Sequence, residues 1–119
     1  MAKESYTVII PPYKPAYVAK VKSPDNTREL INNKISLKPK SISCHIRGNH
    51  FRVIVPAETK GMAANEKATS IANEDVRGSA MVVINNYGSF IGMTKSAAQF
   101  IASKINEFNS EEIIDDVRT

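Results

Sequence analysis

The sequence predicts an α+β fold, an antiparallel or mixed sheet of about five to six short strands with two to three helices packed on one face. Three observations predict it. Short runs of β-branched and aromatic residues recur along the chain. Two pairs of such runs flank Asn/Gly turns and read as hairpins. One apolar repeat at spacings of four and three marks a helix near the C-terminus. The chain has 119 residues, 42% hydrophobic and 24% charged, an ordinary balance for one small domain.

Tyr6-Thr7-Val8-Ile9-Ile10 reads as a strand, stopped by Pro11, Pro12 and Pro15, which remove backbone donors and fix φ. Tyr17-Val18-Ala19-Lys20-Val21 reads as the second. Ser23 and Pro24 open a helix as N-cap and first residue. Leu30, Ile31 and Ile35 give it an apolar face, and Asn32-Asn33 keep it short.

Ile42, Cys44 and Ile46 alternate with Ser41, Ser43 and His45, and Phe51, Val53 and Val55 alternate with Arg52 and Ile54. This is the first hairpin. Residues 60–65 read as a loop and 66–72 as a short helix. Residues 79–84 form a nearly continuous apolar run, so this strand should be the most buried. Asn85-Asn86-Tyr87-Gly88 turns it back through 89–93. Thr94 then caps a helix whose face is Ala97, Ile101, Ile105 and Phe108. The acidic segment 109–119 is either a tail or an interaction segment that joins copies of the chain.

Few residues are arranged for catalysis. Cys44 and His45 are strand neighbours, so they point to opposite faces and cannot easily share a metal ion. No Cys-x-x-Cys, His-Glu-x-x-His or Gly-x-Ser-x-Gly pattern occurs. The expectation is a protein that is not an enzyme and uses no cofactor. A lone cysteine fits a reducing compartment, and no apolar run approaches the length of a membrane span. The expected location is therefore cytoplasmic.

Charge supplies the positive signal. Residues 1–60 carry a net +7 and residues 61–119 a net −3. A basic half fits an anionic partner: a nucleotide, nucleic acid or an acidic protein surface. It also fits a solvated lysine-rich surface. Arg28, Arg47 and Arg52 are the best phosphate candidates, because a guanidinium makes paired contacts. Lys38 and Lys40 would extend the patch. Asn65 and Lys67 follow Gly61 in a loop that leads into a helix. There Asn65 either caps the helix or offers its amide to an anion.

Three segments carry a resemblance. They are Ala57-Glu58-Thr59-Lys60-Gly61-Met62-Ala63-Ala64-Asn65-Glu66-Lys67-Ala68-Thr69, Val76-Arg77-Gly78-Ser79-Ala80-Met81-Val82-Val83 and Phe90-Ile91-Gly92-Met93-Thr94. Together they resemble a small uncharacterised domain family of phages and mobile elements. That family has a Gly-Leu-Pro-x-Asn-x-x-Ala loop, a Gly-Thr-Ala-Val-Val strand and a final helix. Gly61, Asn65, Ala68 and Gly78 match as fold markers, and Ala63 stands where the family has proline. The resemblance implies a phage-type accessory protein, similar in size and class to anti-defence proteins that sequester a nucleotide signal. Its partner would be that anionic ligand or a host defence protein. Separately from the resemblance, a homo-oligomer is expected, with Ile113, Ile114 and Val117 of the acidic segment available to dock on a partner chain. The alternatives are a nucleic-acid-binding regulator and an oligomeric interaction module with no small ligand.

Overall fold

The computed structural model describes residues 5–21, 24–46, 48–86 and 89–107. Its elements, in chain order, are β1 (Ser5–Ile10), β2 (Tyr17–Val21), α1 (Pro24–Leu30), a π-helical turn (Ile31–Ile35), β3 (Pro39–Ile46), β4 (Asn49–Pro56), α2 (Glu66–Ala72), β5 (Ala80–Asn86), β6 (Ser89–Ile91) and α3 (Lys95–Glu107). The strands form one antiparallel sheet in the order β2-β1-β5-β4-β3, with β6 paired to β5. The α+β class and both hairpins are as the sequence predicts.

Register explains the two faces. Val8, Val82 and Val53 lie opposite one another across three strands, and so do Ile9, Met81 and Ile54. Neighbouring residues of a strand point oppositely. The first row, with Ile10, Val55, Cys44 and Phe51, packs under Ala68 and Ile71 of α2 and Ala98, Ile101 and Ile105 of α3. The second row joins Val83 under Ile31 and Ile35. Thus α2 and α3 share one face as expected, whereas α1 runs into the π turn on the other. Both faces are therefore covered, which is why Ala80, Met81, Val82 and Val83 are all fully buried.

The first helix ends differently from expectation. Its last turn is π, with Ser36 N–H donating to the Ile31 carbonyl five residues back at 2.9 Å. The wider turn sets both Ile31 and Ile35 on the sheet. In α3, Thr94 caps as predicted, its Oγ1 accepting from Ala97 N–H at 3.2 Å and its carbonyl from Ala98 N–H. The buried face is Ala98, Ile101, Ala102 and Ile105, with Ala97 only partly buried. Ser23, Arg47, Tyr87, Phe108 and the acidic segment 109–119 lie outside the described residues.

Candidate anion-binding face

The sheet face covered by the π turn continues past it along β3 and β4. Ser43 pairs with Arg52 and His45 with His50. Arg52 is two residues from buried Ile54, so it points to the same side, as do its partners. Ser43 Oγ and His50 Nε2 share a hydrogen bond. The two imidazole rings lie 5.1 Å apart between centroids, tilted at 57°. Ser43, His50 and Arg52 thus bring a hydroxyl, an imidazole and a guanidinium together at one place on this face.

Arg52 is half-buried, and its Nε is shut off from solvent without a hydrogen-bond partner among the described residues. A buried donor of a charged group normally finds an acceptor, and leaving one without costs about 1–3 kcal/mol or more. Residues that fold against the apolar row fix this position: Phe51 and Val53 are anchored on the opposite face, so Arg52 cannot turn away.

The five residues named from the sequence divide. Arg28 is exposed on α1, on the same side of the sheet as Arg52. Arg47 lies outside the described residues. Asn65 and Lys67 belong to α2 and its cap, on the other side. Asn65 is fully buried and its side chain is fully engaged. Its Nδ2 donates to the carbonyls of Ile10 and Gly78, each at 2.8 Å, and its Oδ1 accepts from Ala68 N–H at 3.1 Å. The capping alternative is the one the structure shows, and no hydrogen-bonding capacity is left for an anion. Lys67 is half-exposed on the α2 side, away from Arg52.

The wider basic patch contracts for two reasons. Lys38 pairs with Glu58 at 3.3 Å and Lys40 with Glu74 at 3.2 Å. Lys40 also faces the α2 side, opposite Val55 in register. Such exposed pairs add little stability, but they lower the local positive potential.

Cys44 is buried, and burial pushes its thiol up to about 11. Only roughly one thiol in a thousand is then ionised at pH 8. Labelling with a disulfide reagent at pH 8 is expected to be at least ~100-fold slower than for a free thiol, and to accelerate in denaturant. Rapid labelling of the folded chain would contradict the burial.

A signal that charge counting missed is a cavity on the same side of the sheet. It lies at the end of β1, between the proline loop and the π turn. Its lining includes Ile9, Tyr13, Lys14, Tyr17, Lys34 and Ser79. The lysines there were countable in sequence, but only the sheet brings Lys14 and Lys34 to one opening.

Fold and face together define an α+β domain with cationic groups on one side of its sheet. Compared with known family models, curated proteins and solved structures, the chain matches none. Among the described residues no helix is long and apolar enough to cross a membrane.

Proposed function

We propose that this chain is a non-enzymatic, phage-type accessory protein that binds a phosphate-bearing anionic partner on the cationic side of its sheet, a nucleotide signal being the ligand class favoured. One observation supports the proposal: Arg52 holds a buried Nε–H with no acceptor among the described residues, beside Ser43 and His50. A guanidinium placed this way gains most from a phosphate oxygen, which accepts two hydrogen bonds at once. The accessory and anti-defence setting rests on the resemblance of the 57–69, 76–83 and 90–94 segments. A direct nucleic-acid regulator would use the same cations.

The test is Arg52→Met. Removing an unpartnered donor while keeping the apolar stem should leave the unfolding midpoint unchanged or raise it. Binding of the anionic partner should weaken by about 1.5–3 kcal/mol. The partner is sought by denaturing the purified protein from phage-challenged cells and identifying any released small molecule by mass spectrometry. A steep fall of affinity with salt would instead indicate the nucleic-acid reading. No released molecule, together with no thermal shift across a nucleotide panel, would overturn the nucleotide reading.

A further inference from the structure

We infer that the cavity between the proline loop and the π turn is a binding site for a mononucleotide, its base stacked on Tyr13 and its phosphate held by Lys14 and Lys34. The site shares a ligand class with the Arg52 cluster but none of its residues, so the two stand or fall separately.

The cavity measures about 310 Å³, at the small end of the range for ligand pockets. Its lining sorts by chemistry. Ile9, Pro11 and Pro12 form an apolar wall, Tyr13 and Tyr17 supply rings, Ser79 supplies a hydroxyl, and Lys14 and Lys34 supply charge. The two lysines come from different elements, the proline loop and the π turn. Neither has a carboxylate partner among the described residues. Two ammonium groups at one opening, without a carboxylate partner among the described residues, create a local positive potential that a single anion would neutralise.

The aromatic part of the argument is Tyr13. The residue is 83% exposed, an unusual position for a large aromatic group, which normally buries most of its area. Yet the loop that carries it is constrained. Pro11, Pro12 and Pro15 restrict φ on both sides of it. At the far end, Asn106 of α3 clamps Ala16, with Oδ1 accepting from Ala16 N–H at 2.7 Å and Nδ2 donating to the Ala16 carbonyl at 3.1 Å. At the near end, Ile10 is paired in the sheet. A ring presented on a restricted loop loses little freedom when a planar group stacks on it. An apolar wall, an accessible ring, a hydroxyl and two cations together match a ligand with a flat heterocycle at one end and a phosphate at the other.

The experiment is calorimetric titration of the full chain with the four common nucleoside 5′-monophosphates, repeated with a short single-stranded oligonucleotide. The variants are Tyr13→Ala, the double Lys14→Gln/Lys34→Gln, Arg52→Met and, on α3, Lys95→Gln as a control. Tyr13, Lys14, Lys34 and Lys95 are all exposed, so the fold should persist, which circular dichroism checks. At least one mononucleotide is expected to bind. Tyr13→Ala and the double lysine variant should each weaken it by about tenfold or more, while Lys95→Gln leaves it unchanged. Three results would overturn the assignment: no mononucleotide binds, the oligonucleotide alone binds, or the pocket variants bind as the unaltered chain does. Loss of binding confined to Arg52→Met would overturn the pocket while leaving the Arg52 reading intact.

Discussion

Asn65→Leu is expected to destabilise the fold by about 3–4 kcal/mol, the largest single effect predicted for an individual side chain. The residue does three things at once. Its Oδ1 caps α2 through Ala68 N–H, and its Nδ2 ties the end of β1, at Ile10 O, to the residue before β5's approach, at Gly78 O. Its own N–H donates to the Val76 carbonyl at 2.9 Å, which holds the loop against the sheet. Loss of a cap alone costs about 1 kcal/mol. The buried Ile10 carbonyl deprived of its donor adds about 1–3 kcal/mol more, and the part-buried Gly78 carbonyl adds less because water can reach it. Asn65→Asp separates these contributions, because it keeps the capping acceptor and loses both donors. It should be nearly as unstable as the leucine variant in urea unfolding. If Asn65→Asp instead retains most of the stability, the cap dominates and the tie to β1 and Gly78 is minor.

Asn65 also shows what sequence reasoning could reach. An asparagine before a short helix is a cap signal, readable locally. Its bonds to Ile10 and Gly78 cross 55 and 13 positions of the chain, and no local pattern encodes them. The strands and hairpins were legible for the complementary reason. Each is written in alternation or in a turn, and register then follows from burying the right row. The placement of α1 was not legible. The apolar run of β5 is buried on both faces, and an unbroken run announces burial without saying which helix covers which side. The candidate site failed in the same way. Arg28 and Arg52 do share a side of the sheet, but Lys67 does not: it was named from a glycine loop leading into a helix, and that local pattern does not say which face of the sheet the helix covers. Tyr13, Lys14 and Lys34 were visible as residue types, and only the crossing of the proline loop and the π turn makes them neighbours of one cavity.

The second large effect is expected at Gly92, and its cause is proximity rather than backbone conformation. A Cβ added there would stand 2.8 Å from Ser5 Cβ and 2.8 Å from the Tyr6 carbonyl oxygen, with Tyr6 N at 3.0 Å. Two of these atoms are backbone, so no rotamer change relieves the overlap. The neighbouring residues Tyr6 and Met93 exchange two hydrogen bonds, Tyr6 N–H to Met93 O at 2.7 Å and Met93 N–H to Tyr6 O at 2.6 Å. Separating the strands enough to admit a methyl group lengthens both. Gly92→Ala should therefore cost about 2–3 kcal/mol, the range for overpacking with added loss of hydrogen bonding. The damage should be directional. Met93 is buried in the α2–α3 core and Thr94 caps α3, so a displaced 92–94 segment loosens the start of that helix as well as the bridge to β1. Hydrogen exchange resolves this: the Tyr6, Met93 and Ala97 amides should lose protection in Gly92→Ala, while Val53 and Val82 at the sheet centre change only by the global loss of stability. Unchanged protection at Tyr6 and Met93, with an unchanged urea midpoint, would mean that the sheet yields at this edge without breaking the bridge.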